Sequence, residues 1–443
     1  MKNSEIQRSA YVHIRGRRLR LLPLSFLLKM AAPPMLPRAT GATKRRLLDS
    51  VSFSGAGFLG CYHMGAASAL LGQGYLLRPG DCPAPFDEDA SAGLVPSTSS
   101  VTPYPALVAP PILTGVSAGS IVSAALSAGV RPDDGMDTLL QIAKRTRDKG
   151  GSLDVLRPGF SLVDQVEDLL LLSMKRALGG TGEAASDYDK ELWTKRIAGG
   201  RLLRIGLTDY RLFTPVGVAR DVPEAYRYVD QYRDVDDAVA ACILSSYIPG
   251  ATGTLRGAQC HMNASVRNSW ARVHAMERLG YVKDGRTGQA VTSTKTDEPG
   301  DLYYWDGGLA DVFPTIDDDT LIVSPINGHY TNPSISPSMP VDMDQQSSSP
   351  ALNERTNAPP NGGATTQKAE QDFTSMILQR ALDMIPTTVQ GHARASFGLN
   401  AQNADTLRRM MWSSDDTVLE ERYRSGHDDA MRFLRENDLL TTY

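Results

Sequence analysis

PILTGVSAGSIVSAALSAG, Pro111 to Gly129, is the stretch on which the fold turns. Ile112 to Thr114 read as a β-type run, Gly115 to Gly119 as a tight turn of small residues, and the rest as a helix. The turn spells G-x-S-x-G. Gly115 and Gly119 remove side chains that would clash in a sharp bend, so Ser117 would stand exposed at the end of a strand, under the positive end of the next helix. A strand that feeds a helix through such a turn is a unit of α/β architecture.

Working outward, the same rhythm recurs. DSVSFSG, Asp49 to Gly55, reads as a short buried strand, and a small-residue helix follows from about Cys61 to Leu71. GMDTLLQIAKRTR and FSLVDQVEDLLLLSMKRAL have helical spacing, the second with Leu162, Val166, Leu169 and Leu170 along one side. RLLRIGLTDY and AYRYVDQY are strand candidates, and DDAVAACILSSYIPG is a helix that Pro249 stops. LYYWDGGLADVFP and TLIVSPINGHY restore strand-and-turn character. Strands alternating with helices, without internal repeats, predict an α/β fold with a mainly parallel sheet.

Four segments depart from this rhythm. Residues 1–48 hold eleven Lys/Arg and one acidic residue, Glu5, so they carry +10, and the remainder carries −14 (−4 minus +10). The apolar run Leu21–Leu28 inside them is too short to span a bilayer and is broken by Pro23. A disordered tail, a targeting peptide and a patch lying on anionic lipid are all open readings. Residues 78–111 and 263–301 are polar and read as surface insertions. Residues 331–368, rich in Pro, Ser, Thr, Asn, Gln and Gly, read as a disordered linker. Between them, residues 49–330 form the main domain. Residues 369–443 are a C-terminal helical segment, with Phe373, Ile377, Ala381 and Met384 on one helix face and Leu419, Tyr423, Ala430 and Leu434 on another.

A net charge of −4 gives no general case for nucleic-acid binding. The four cysteines, Cys61, Cys82, Cys242 and Cys260, form no CxxC pair and suggest neither a zinc site nor a disulfide framework.

SFSGAGFLGCYHMG, Ser52 to Gly65, spaces its glycines G-x-G-x-x-G. A dinucleotide site wants an acidic residue closing a second strand about 20 residues on. Here that distance falls at LLRPGD, the mouth of an insertion. A P-loop is excluded because Gly60 is followed by Cys61-Tyr62 and not by Lys-Ser/Thr. An oxyanion hole fits instead, with the backbone N–H groups of Gly55, Ala56 and Gly57 aimed at a carbonyl oxygen as it becomes negative. For a base, His63, His329 and His427 are scattered. Asp306 is the better candidate: it follows Leu302–Trp305 and precedes Gly307 and Gly308, which let the chain turn tightly beside it. Taken alone it is equally an ordinary Asp-Gly turn.

The three motifs together, in this order, resemble the patatin-like phospholipase family. GFLGCYHMGAASAL, GVSAGS, SSYIPG, WDGGLADVFP, IVSPINGHY and YRSGHDDAMRFLRENDLL are most similar to its adiponutrin and adipose triglyceride lipase branch. The resemblance covers most of residues 50–330 and returns for 371–440. It implies a three-layer sandwich with helices flanking the sheet, and a Ser–Asp dyad that cleaves acyl esters of neutral glycerides or phospholipids. Ser117 is then the nucleophile, Asp306 the base and Gly55 to Gly60 the oxyanion loop, with no metal or organic cofactor. The implied partners are a lipid substrate at a droplet or membrane surface and a coactivator protein, not nucleic acid. The implied location is cytoplasmic and peripheral, or an organelle reached through the basic N-terminal segment. An acyltransferase, in which a second glyceride replaces water, and a catalytically silent lipid-surface adaptor are the rival readings. This sequence departs from the branch in two ways. The insertions stretch the Ser117-to-Asp306 separation to 189 residues (306 − 117), and no long apolar extension precedes Tyr443.

Overall fold

The computed structural model describes residues 11–14, 17–20, 49–76, 111–148, 161–181, 185–198, 202–212, 222–248, 252, 264–291, 303–338, 395–396, 401–411 and 414–440. The chain divides into two compact units, residues 1–46 and 47–443. In the first, Tyr11–Ile14 and Arg17–Arg20 pair antiparallel, with Tyr11 opposite Arg20. The basic segment is therefore not featureless there: Tyr11, Val12 and Ile14 are strand formers. The rest of it, including Leu21–Leu28, lies outside the described residues.

The second unit is built on an eight-stranded sheet. In chain order its strands are β1 (Ser50–Phe53), β2 (Ile112–Gly115), β3 (Leu203–Asp209), β4 (Tyr226–Val229), β5 (Val282–Asp284), β6 (Tyr304–Asp306), β7 (Leu321–Val323) and β8 (Ser334–Ile335). They lie in the order β8-β7-β1-β2-β3-β4-β5, and β6 also pairs with β3. The pairs from β8 through to β3 are parallel, whereas β3–β4, β4–β5 and β3–β6 are antiparallel. Val51, Phe53 and all three residues of β7 have no exposed surface. Central strands buried on both faces are what a sheet flanked by helices requires.

The helices are α1 (Gly60–Gly72), α2 (Ala118–Ala128), α3 (Pro132–Asp148), α4 (Leu162–Ala177), α5 (Val235–Ser245), α6 (Ala264–Arg278), α7 (Ala401–Met411) and α8 (Asp416–Glu436). α4 starts where the Ser161 hydroxyl accepts the Asp164 N–H, and α5 where Asp234 accepts the N–H of Asp237. α8 buries Leu419, Ala430 and Leu434, the face its sequence marks, and packs on α1. There Tyr62 donates a buried 2.8 Å hydrogen bond to Asp429, which ties the C-terminal helix into the core.

Two expectations are corrected. Residues 263–301, expected to loop out, contain α6 and β5. A narrow stripe of Val266, Ser269, Val273 and Met276 is buried while Arg267, Asn268 and Arg272 make the segment look like loop. The linker does not begin at residue 331, because Ile335 is buried in the edge strand β8, paired with Val323. The chain also returns at Ala395–Ser396 to pair with His329–Tyr330. The insertion expected at 78–111, but for Pro111, and the helix expected over Asp372–Ile385 lie outside the described residues.

Candidate active site

Sheet register brings three distant motifs to one level. Phe53 pairs with Gly115, and Gly115 with Ile205. Two residues further along each chain come Gly55, Ser117 and Leu207, and Leu207 pairs with Asp306. A strand advances about 3.3 Å per residue, so equal offsets keep these groups abreast at the carboxyl ends of the strands. A Cβ on Gly55 would lie 3.8 Å from the Ser117 Cβ.

The turn after β2 is sharp. Ser117 sits at φ +52, ψ −131, a conformation few non-glycine residues adopt, and α2 begins at the next residue. Gly119 makes the turn possible: a Cβ there would fall 2.1 Å from the Phe53 carbonyl oxygen. That close approach seats the start of α2 against the end of β1.

Asp306 closes β6 and is 4% exposed. Its carboxylate accepts a 2.8 Å bond from the Gly308 N–H, and the Ser117 hydroxyl lies near enough to favour its charged form. Burial pushes its pKa up to about 7, against the downward pull of those two groups. Thr208 braces the turn, donating to the Asp306 carbonyl at 2.7 Å and accepting the Ala310 N–H at 3.0 Å. The Asp-Gly-Gly segment is thus a turn that also sets the Asp306 carboxyl beside Ser117.

The oxyanion loop is narrower than its glycines suggest. The Gly55 N–H donates to the Val312 carbonyl at 3.2 Å, and the Gly60 N–H closes a 3₁₀ turn on Gly57. Neither points into the site. Among the described residues, the N–H groups of Ala56 and Gly57 donate to no backbone carbonyl. Gly57 takes φ +51, and a Cβ on it would fall 2.0 Å from the carbonyl oxygen of Met410 in α7. Ala118, which opens α2 beside Ser117, adds a first-turn N–H that the glycine pattern did not flag.

No histidine among the described residues bonds to Ser117 or Asp306. His63 is fully buried on α1, 3.4 Å from the Ser54 hydroxyl, and burial pushes its pKa down to about 3, so it stays neutral. His329 is exposed, and His427 is half-buried and lies 3.5 Å from Asp428. Cys61 and Cys242 are buried thiols pushed up to about 12, protonated and unreactive at neutral pH.

An apolar pocket opens beside Ser117. Ile121, Val122 and Ala125 of α2 form one wall, Leu139 of α3 a second, and Val166 and Leu170 of α4 a third. The space suits a hydrocarbon chain whose polar end rests at the serine.

Residues 51–318 match the sequence model of the patatin-like phospholipase family. The chain is also 22% identical, over 396 residues, to patatin-like phospholipase domain-containing protein 2 of Mus musculus. That alignment takes in 88% of this chain and 51% of the relative, so the chain spans about half the length of the curated protein it matches. No solved structure matches it.

Proposed function

The chain belongs to the patatin-like phospholipase family, and on that premise we propose that it is a lipid acyl hydrolase working through Ser117 and Asp306. Ser117 set beside the buried carboxyl of Asp306, at the edge of an apolar pocket, is the observation that carries the reading. With Asp306 ionised, the Ser117 hydroxyl attacks the ester carbonyl and passes its proton to the carboxylate. The developing oxyanion is held by the N–H groups of Ala56, Gly57 and Ala118. Collapse of the tetrahedral intermediate expels the alcohol, which takes the proton back from Asp306. Water then gives a proton to Asp306 as its oxygen attacks the acyl-serine carbonyl. Collapse of this second intermediate breaks the serine ester, releases the fatty acid and lets the Ser117 oxygen take the proton back from Asp306.

The substrate is a glyceride or phospholipid, met at a lipid surface. Among the described residues no helix is long and apolar enough to cross a membrane. Contact with the surface is therefore peripheral in this proposal, with the +10 segment 1–48 supplying attraction to anionic lipid. The test is an assay of the purified chain and its Ser117→Ala variant on triacylglycerol, phospholipid and lysophospholipid side by side. Fatty-acid release from at least one, abolished in Ser117→Ala, is expected. Equal release by both proteins overturns the reading. Acyl transfer to an added glyceride in place of release identifies the transacylase alternative.

A further inference from the structure

Resting on that reading, we propose that Ser245 is the positioning residue of the nucleophile, and that residues 245–247 set the Ser117–Asp306 geometry. The Ser117 N–H donates to the Ser245 hydroxyl oxygen at 2.9 Å, and that hydroxyl donates to the Gly206 carbonyl at 2.6 Å. Because an N–H can only donate, both roles of the hydroxyl are fixed. Two residues on, the Tyr247 carbonyl accepts the Asp306 N–H at 2.9 Å. The last turn of α5 therefore grips both members of the proposed dyad by their backbones.

The arrangement follows from helix termination. Ser246 and Tyr247 donate to Ile243 and Leu244, three residues back, so the end of α5 tightens and its last carbonyls turn away from the helix ladder. Gly206 lies on β3 beside Leu207, the strand partner of Asp306. The Ser245 oxygen is thus a junction between the turn after β2, the strand β3 and the helix α5, and it has no exposed surface. Ser117 needs such a partner because a turn at φ +52 takes its amide out of any regular ladder. Removing the hydroxyl orphans that N–H and lets the turn relax, which moves the Ser117 oxygen relative to both the carboxylate and the oxyanion donors.

The test uses the full chain as wild type, Ser117→Ala, Ser245→Ala, Ser245→Thr and Ser245→Cys, with a soluble chromogenic short-chain ester and a fluorophosphonate that labels activated serines. Ser245→Ala is expected to lower kcat and the labelling rate by about 10- to 100-fold, with KM within about twofold. Its acid limb should move to higher pH, since a displaced Ser117 hydroxyl no longer holds the Asp306 pKa down, and Ser245→Thr should recover most of the rate. A cooperatively melting Ser245→Ala with wild-type kcat and labelling overturns the proposal. So does an equal fall in the Ala and Thr variants, which would reduce Ser245 to a packing residue. If Ser245→Ala does not fold, Ser245→Cys, close in volume but a weaker acceptor, carries the same test, and wild-type kcat in it overturns the proposal. Wild-type protein that labels no faster than Ser117→Ala is a different failure, one that removes the nucleophile itself.

Discussion

The turn after β2 holds Ser117 at φ +52, whereas the turn after β6 keeps Asp306 at φ −47, ψ 124, an unstrained backbone. At Ser117 the tension is conformational, and it lies in two dihedral angles. At Asp306 it is electrostatic: a carboxyl group 4% exposed, with its pKa near 7. One turn aims an oxygen by bending the chain. The other prepares a base by withholding water. In the proposed mechanism the serine and the carboxylate are readied for proton transfer without an imidazole, each tuned in a separate way.

The strongest way to break the comparison is to remove either partner. Ser117→Ala and Asp306→Asn should each lower kcat by at least about a thousandfold with the fold intact, as read by ester hydrolysis and circular dichroism. A folded Asp306→Asn variant with near-normal turnover would make that turn merely structural.

The electrostatic half can be read from pH. Ionised Asp306 is the working form, so kcat/KM should rise with pH through about 7 and level off above it, and Asp306→Asn should erase that limb. Stability runs the other way. The carboxyl binds its proton more tightly in the folded chain, near 7, than in the unfolded one, near about 3.9. Folding therefore takes up a proton between those values, and stability falls as pH rises through that window. Asp306→Asn should exceed wild type in stability at pH 8, by as much as about 4 kcal/mol, with the gap closing below about pH 4. Denaturant melts at the two pH values decide it.

The conformational half is probed by Gly119→Ala. Its methyl would enter the space held by the Phe53 carbonyl, 2.1 Å away, and backbone on both sides must shift. A loss of about 1–3 kcal/mol in denaturant unfolding, with activity falling further than stability, is expected. Unchanged activity would mean that the bend tolerates slack.

The smallest effects should come from His329→Gln and His427→Gln, each within about twofold of wild type in kcat and within about 0.5 kcal/mol in stability. Loss of activity in either as deep as in Ser117→Ala would show an imidazole relay and end the contrast.

Ser117 is legible in the sequence because G-x-S-x-G between a β-type run and a helix is a local pattern, complete within a few residues. Asp306 is legible only as an Asp-Gly-Gly turn, and becomes a base candidate through its order with the other motifs. The glycine loop is half legible. Its spacing marks a backbone cradle, but the Gly55 N–H goes to Val312, 257 residues away (312 − 55), and nothing near Gly55 signals that acceptor. α6 is hidden for the opposite reason. Its buried stripe is narrow, and its exposed arginines and asparagine dominate the composition.

By itself, then, the sequence determined the alternation of strands and helices, the bend that carries Ser117 and the candidacy of Asp306. All of these rest on short-range sterics and periodicity. Only the tertiary structure decided that these groups meet, which loop amides stay free, and that Ser245 and Tyr247 grip both turns. Those outcomes depend on strand register and on burial among segments far apart in the chain, where neighbouring residues carry no information about the partner.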